Sequence, residues 1–210
     1  MAHSIAAVPD VMQPPSDREF GAGVYNEKVG MWIFLGSEVM FFTALIGTYI
    51  ILRVAHPEQW APPGKVLNVP VTAVNTFLLI CSSVTMVKAF AAIQDGDQRR
   101  LCRWLLATVL IGASFVGVQI YEYTHLIEKG FVASQGLYGS TFYTMTGFHG
   151  FHVTMGVLCM IYVTWKAYQG RYTAQDHRGV EVIGLYWHFV DLVWIFLFPL
   201  LYLIGRHATR

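Results

Sequence analysis

Five long apolar stretches run through the chain, and short segments rich in charged residues, proline or glycine separate them. An α-helix rises about 1.5 Å per residue, so roughly 20 apolar residues are enough to cross the hydrocarbon core of a bilayer. The stretches predict transmembrane helices at residues 29–52, 69–93, 101–126, 139–168 and 182–204. We therefore predict an all-α fold, a polytopic membrane bundle of five transmembrane helices.

The segments outside these helices are predicted to lie at the membrane surface. Residues 1–28 combine prolines with acidic and basic residues and predict a polar N-terminal tail, and residues 206–210 predict a short C-terminal tail. The transmembrane domain between them spans residues 29–205. The N-terminal tail has no apolar core flanked by basic residues, so we expect no cleaved signal peptide.

The composition supports a membrane protein. Hydrophobic residues make up 55% of the chain and charged residues only 13%, whereas soluble domains contain about 25% charged residues. The formal net charge is +1. The chain has no stripe of basic residues of the kind that would indicate a nucleic-acid partner. The three cysteines are far apart and lie in or beside apolar stretches, which is typical of small buried residues.

The distribution of lysine and arginine predicts the orientation, because cytoplasmic loops carry an excess of these residues. With five helices, the side that holds the N-terminal tail carries Arg18, Lys28, Lys88, Arg99, Arg100, Arg103, Lys166, Arg171 and Arg178. The opposite side carries only Arg53, Lys65, Lys129, Arg206 and Arg210. We therefore predict a cytoplasmic N-terminus and a periplasmic C-terminus.

Two acidic residues lie deep within the apolar stretches. Glu38 is about nine residues inside the first predicted helix, and Asp191 is about nine residues inside the fifth. A charged carboxylate at such depth costs roughly a few kcal/mol unless protein or water shelters it. His188 lies one turn before Asp191 on the same helix face. The matched depths predict that the first and fifth helices enclose a polar cluster of Glu38, His188 and Asp191.

Other ionisable residues occur in the third and fourth predicted helices. His149 and His152 are three residues apart and therefore share a face. Glu122 and His125, near the outer end of the third helix, either partner His149 or reach the outer interface. Burial favours the neutral forms of acids and histidines, which allows such groups to exchange protons near neutral pH.

These residues also allow purely structural interpretations. Glu38 is then a protonated acid that holds neighbouring helices together, and the two histidines are packing residues. A metal site or a haem held between His188 and one of those histidines would need groups at one level. The predicted depths differ, so we expect no metal and no haem on this chain. The residues alone leave two alternatives open, a proton-handling element such as a channel or transporter and a subunit of a larger assembly.

Five segments resemble the haem–copper oxidase subunit III family in the right order. The most characteristic are residues 138–156, which read YGSTFYTMTGFHGFHVTMG, and residues 186–197, which read YWHFVDLVWIFL. Residues 36–42, 75–79 and 119–123 fit the remaining segments. The resemblance covers about Lys28 to Ile204.

The resemblance implies a subunit without a redox centre of its own. Such a subunit packs against subunit I, which carries the haems and copper, and against subunit II, and it supports proton uptake and lasting turnover. Glu38 matches a buried carboxylate of that family that carbodiimides modify, and His149 and His152 fall within its characteristic motif. Family members commonly have seven helices and bind phospholipid in a cleft. This chain lacks the two helices that form one wall of that cleft.

The expected function is that of a non-catalytic subunit of a proton-pumping cytochrome c oxidase in a bacterial inner membrane. The complex would reduce oxygen to water, and membership of a respiratory supercomplex stays open. The alternatives within the family are a quinol oxidase and an accessory subunit of a nitric oxide reductase. Outside the family, they are a stand-alone proton channel or transporter and a haem-bearing cytochrome.

Overall fold

A computed structural model describes residues 19–20, 24–60 and 67–203. Five long helices make up most of this part of the chain: α1 (Asn26–Ala55), α2 (Val69–Gln94), α3 (Gln98–Glu128), α4 (Leu137–Tyr168) and α5 (Arg178–Phe198). Each is long and apolar enough to cross a membrane. The prediction of an all-α membrane bundle of five helices is confirmed.

The helices extend beyond most of the predicted boundaries. α1 begins at Asn26, inside the predicted tail of residues 1–28, and α5 begins at Arg178, four residues before the predicted start. Hydropathy detects only the segment within hydrocarbon, whereas a helix continues into the interface, where polar side chains are well solvated. Tail residues 1–18 and the predicted C-terminal tail, 206–210, lie outside the described residues.

Three short elements accompany the helices. Strands β1 (Glu19–Phe20) and β2 (Val24–Tyr25) pair antiparallel just before α1, and a 3₁₀ turn at Pro57–Gln59 follows it. After α5 the chain forms a π-helical turn at Pro199–Leu203. Proline has no amide hydrogen to donate, so a change of helical hydrogen bonding at Pro199 is expected.

Four helices form a ring in which α2 contacts α3 and α5, while α4 contacts α3 and α5. Glycine permits the closest approach. A Cβ atom added to Gly112 would lie 2.6 Å from the ring of Trp187, and one added to Gly156 would lie 3.0 Å from the same ring. Trp187 is fully buried and donates its indole hydrogen to Ser82. The indole therefore sits between α3 and α4 and is anchored to α2.

Helix α1 lies outside this ring, against α4 and α5. Only Phe42 and Tyr49 of its 30 residues are buried. Its outer face presents exposed apolar side chains, including Ile33, Met40 and Ile51. Because a face of this kind is stable only against lipid or another protein, α1 leaves a large apolar surface for such contact.

Candidate functional site

Glu38 is paired with His152. The carboxylate on α1 lies 3.1 Å from the Nε2 atom of His152 on α4, and only 16% and 12% of the two side chains are exposed. The Nδ1 atom of His152 lies 2.7 Å from the carbonyl oxygen of Phe148, one turn earlier in the same helix. A carbonyl oxygen can only accept, so Nδ1 carries a hydrogen.

That assignment fixes the chemistry of the pair. With Nδ1 protonated, a hydrogen bond between Nε2 and Glu38 contains one proton. The proton resides either on His152, giving an imidazolium and a carboxylate, or on Glu38, giving a neutral imidazole and a carboxylic acid. Both forms have zero total charge. The pair therefore stores one proton within the apolar layer without a net buried charge.

Aromatic rings surround this pair. The ring of His152 meets the edge of Phe42 at 5.2 Å between ring centres and that of Phe151 at 5.8 Å. Phe41 packs edge-on against Phe148 at 5.0 Å and lies 6.5 Å from His152. The rings limit access of water, and a low local dielectric strengthens the interaction between the two groups.

His149 occupies a different environment from His152. It is fully buried, stacks on Trp194 with 4.7 Å between ring centres, and meets Phe115 edge-on. Within the described residues neither ring nitrogen has a hydrogen-bond partner. Residues three apart differ by about 60° around a helix, which is enough to turn His149 into the ring while His152 faces α1.

The predicted cluster of Glu38, His188 and Asp191 does not form. His188 and Asp191 lie on the side of α5 that faces α2, where the Ser83 hydroxyl group is 2.5 Å from Nδ1 of His188. The side of α5 that faces α1 instead carries Phe189, which packs against Phe42. Depth counting gave the level of each residue but not its rotation about the helix axis.

Asp191 is a buried carboxyl group in this second polar region. It is 4% exposed, and neither oxygen has a hydrogen-bond partner among the described residues. The Ser83 hydroxyl group is close enough to interact with Asp191, but its hydrogen bond is to the Nδ1 atom of His188. A groove of about 200 Å³ between α2 and α5 is lined by both His188 and Glu181. His188, one turn before Asp191 on α5, therefore lines this groove.

Glu122 is hydrogen-bonded to two hydroxyl groups and not to His149. Its two oxygens accept hydrogen bonds from Thr72 on α2 and from Tyr202 on the π-helical turn, each at 3.1 Å. His125 is exposed and lies alongside the ring of Tyr121. The alternative that Glu122 partners His149 was therefore wrong, because the chain after Pro199 brings Tyr202 to this acid.

Hydroxyl groups from other helices donate hydrogen bonds to carbonyl oxygens of the π-helical turn. Tyr49 of α1 donates to the carbonyl oxygen of Leu200 at 3.0 Å, and Tyr138 of α4 donates to that of Leu201 at 3.4 Å. Arg53 in turn donates to the Tyr49 hydroxyl oxygen at 2.6 Å. Sequence reasoning missed this group. The available signal was the approaching end of the last apolar stretch, because the final carbonyl groups of a helix lack partners within the helix.

A further missed contact joins the N-terminal ends of α1 and α5. Glu181 accepts from Lys28 and from the Tyr25 hydroxyl group, both at 2.5 Å. Burial and the neighbouring Glu181 carboxylate raise the pKa of Tyr25, so its hydroxyl group stays protonated and remains a donor. From the sequence, Lys28 contributes only to the predicted orientation of the chain in the membrane, and this contact is not predicted.

The described residues contain no group of three or more histidine, cysteine, aspartate or glutamate side chains placed to hold a metal ion. Cys81, Cys102 and Cys159 are free thiols. The polar groups are instead arranged as separate pairs and small networks at helix contacts, an arrangement suited to holding protons and joining helices.

Comparison with known proteins gives consistent matches over most of the chain. The model of the family described as cytochrome c oxidase subunit III matches residues 22–206. The chain is 41% identical over 179 residues to cytochrome c oxidase subunit 3 of Thermostichus vulcanus, which covers 85% of this chain and 87% of that protein. It is 44% identical over 177 residues to the protein of that name from Synechocystis, covering 83% and 74%. It is 35% identical over 181 residues to cytochrome bo(3) ubiquinol oxidase subunit 3 of Pseudomonas aeruginosa, covering 86% of each.

Proposed function

Since the chain belongs to the cytochrome c oxidase subunit III family, we propose that it serves a haem–copper oxidase as a subunit that carries no redox centre. The observation that carries this proposal is the extent of the match, which includes all five helices. In this proposal the haems and copper reside on a catalytic subunit I, and subunit II completes the complex. The chain stabilises subunit I and supports its proton uptake while oxygen is reduced to water.

Cytochrome c is the proposed electron donor. The matches at 41% and 44% identity are both named cytochrome c oxidase subunits, whereas the ubiquinol oxidase subunit is 35% identical. The proposed location is a bacterial inner membrane with the N-terminus in the cytoplasm, in line with the lysine and arginine distribution. The same family fold in a quinol oxidase or beside a nitric oxide reductase is the competing assignment.

We assign the proton-linked role to two sites. The first is the pair Glu38 and His152, whose single shared proton can shift between the partners without changing total charge. The second is Asp191 with His188 and Ser83, which lies beside a groove between α2 and α5. His149 and Glu122 are assigned structural roles, because aromatic packing and two hydroxyl donors account for their positions.

Purification of the tagged full-length chain from its native membrane in mild detergent tests the assignment. We expect two larger oxidase subunits to accompany it, haem absorption that belongs to those subunits, and oxidation of reduced cytochrome c coupled to oxygen uptake. If the complex oxidises ubiquinol but not cytochrome c, the electron donor is a quinol and the assignment of cytochrome c is wrong. If the purified complex reduces nitric oxide instead of oxygen, the assignment of an oxygen-reducing oxidase is wrong.

A second arm separates this function from a different class. The isolated chain is reconstituted into vesicles, and its absorption spectrum and proton flux are measured. We expect no Soret band and no flux above that of empty vesicles. Proton flux from the chain alone, or a chromophore of its own, would contradict the proposal.

A further inference from the structure

Tyr186 on α5 lies beside the two helices that carry Glu38 and His152. Its side chain is buried, and its hydroxyl group donates to the backbone carbonyl oxygen of His152 at 2.9 Å. The centre of its ring also lies 6.2 Å from that of Phe34, one turn before Glu38 on α1. A single side chain of α5 therefore contacts both α4 and α1 next to the pair.

The hydrogen bond from Tyr186 is an addition to the hydrogen bonding of α4. In an α-helix, the carbonyl oxygen of His152 already accepts from the amide four residues further on, that of Gly156. A carbonyl oxygen has two lone pairs, so it can accept from the tyrosine as well. The close approach depends on Gly156, because a Cβ atom there would lie 3.0 Å from Cε1 of Tyr186. The hydroxyl group therefore acts as a tether between α5 and α4.

The position of the α4 backbone at His152 determines the geometry of the pair. Nδ1 of His152 is bonded to the Phe148 carbonyl oxygen of the same helix, so the imidazole follows any movement of α4. Its Nε2 atom lies 3.1 Å from the carboxylate of Glu38, near the long end of the usual range of about 2.7–3.2 Å. At about 3.6 Å no hydrogen bond remains, so a relative movement of about half an ångström separates the partners.

Other polar contacts hold α1 only at a distance from Glu38. Lys28 ties α1 to Glu181 on α5, and Tyr49 ties it to the turn after α5. Both residues are about three helical turns from Glu38. The rings described above around the pair belong to phenylalanines, which pack but offer no hydrogen bond. Tyr186 therefore supplies a polar tether at the level of the pair itself.

We propose that Tyr186 is a positioning residue for the proton shared by Glu38 and His152. Its hydroxyl group holds the backbone of His152, and its ring supports α1, so that the carboxylate and Nε2 stay within hydrogen-bond range. When the proton shifts, the N–H bond of His152 breaks as the O–H bond of Glu38 forms, and Tyr186 keeps its own hydrogen. The inference rests on the proton-linked role proposed above for this pair and assigns a part in it to α5.

Infrared spectra of the full-length chain in detergent test the positioning. Absorption that is lost in E38Q belongs to Glu38. A separated pair favours the neutral carboxylic acid, because an unpaired charge is costly in an apolar site, and a weaker hydrogen bond raises the frequency of its C=O stretch. Y186F should therefore give a Glu38 carboxyl band at higher frequency than in the wild type, or a band where the wild type has none.

The variant Y138F is the matched control. The Tyr138 hydroxyl group also donates to a backbone carbonyl oxygen, that of Leu201 in the turn after α5. Both variants lose one such bond and keep the aromatic ring, so unfolding in mixed micelles should show a folded bundle in each. Only Y186F should change the Glu38 band. An unchanged band in Y186F, or an equal change in Y138F, would overturn the proposal.

Sustained turnover of the assembled complex provides a second readout. Y186F should shorten the turnover lifetime, and Y186F/E38Q should shorten it no further than E38Q alone. Additive shortening would show that Tyr186 acts apart from the pair and would also overturn the proposal. An unchanged lifetime in E38Q would instead contradict the proton-linked role of the pair, whereas the infrared comparison would still decide whether Tyr186 positions it.

Discussion

The imidazole of His152 bridges Glu38 on one helix and the Phe148 carbonyl oxygen on its own, at 3.1 Å and 2.7 Å. This bridge explains how an acid is tolerated on α1, a helix with only two buried residues. As an imidazolium, His152 neutralises the Glu38 carboxylate; as a neutral imidazole, it accepts a hydrogen bond from the Glu38 carboxylic acid. Its Nδ1 atom donates to the Phe148 carbonyl oxygen of its own helix. The acid needs no partner from α5, contrary to the expectation from matched depths.

The variant E38Q removes the shared proton but keeps the size of the side chain. We expect complex assembly to continue and activity to decline faster during sustained turnover. A double-mutant cycle of E38A and H152A, whose side chains cannot form hydrogen bonds, should give a coupling energy of about 0.6–1.7 kcal/mol, the range of polar interactions between membrane helices. The measurements are oxygen-uptake time courses and unfolding in mixed micelles. S37A, which alters an exposed hydroxyl group that donates to the Phe34 carbonyl oxygen of its own helix, is the control. Additive effects of E38A and H152A would refute the pairing.

The variant D191N tests the second proton-linked site. Neither oxygen of Asp191 has a hydrogen-bond partner among the described residues, so the isosteric amide breaks no such bond and the complex should still assemble. We expect it to shorten turnover lifetime, and E38Q/D191N to shorten it further. Infrared difference spectra of the wild type should contain a carboxyl band that D191N lacks. Unchanged lifetime and assembly in the double variant would remove the proton-linked role from both sites.

Substitution of alanine for Gly112 tests the packing around Trp187. The added Cβ atom would lie 2.6 Å from the indole ring, and crowding of this kind in a packed core costs about 1–3 kcal/mol. We expect G112A to lower the thermal unfolding temperature. G117A on the same helix is the matched control, because a Cβ atom there would meet open space. Equal effects of the two variants would contradict the arrangement.

Removal of the Tyr202 hydroxyl group tests the contact of Glu122 with the π-helical turn. Y202F should destabilise the bundle by about 1 kcal/mol, because Glu122 then keeps Thr72 alone of its two partners among the described residues. Unfolding in mixed micelles measures the change. The exposed ring of Tyr121 provides the control Y121F, which should be neutral. A neutral Y202F would contradict a stabilising role for the hydrogen bond between Tyr202 and Glu122.

The sequence predicted the helices better than the side-chain contacts, for a physical reason. Apolar length alone sets the existence of a membrane helix, so the prediction of five such helices and the family resemblance were confirmed. Contacts depend on rotation about each axis and on neighbours distant in sequence. His152 was identified as a candidate but not as the partner of Glu38, since nothing in the sequence shows that α1 packs against α4. The Glu122 contact required the path of the chain beyond Pro199, which composition does not encode.

The position of α1 outside the ring has a consequence for biosynthesis. α1 leaves the ribosome before the other four helices of the described residues, yet Glu38, Phe42 and Tyr49 find their partners on α4, on α5 and in the turn after α5. Each transmembrane helix is stable in lipid by itself before helices associate. Throughout translation of α2 and α3, α1 is thus without its partners; it can dock on α4 once that helix has entered the membrane, and α5 and the turn after it complete the contact. Truncation after α4 would leave it held by the Glu38 and His152 contact and its neighbouring rings.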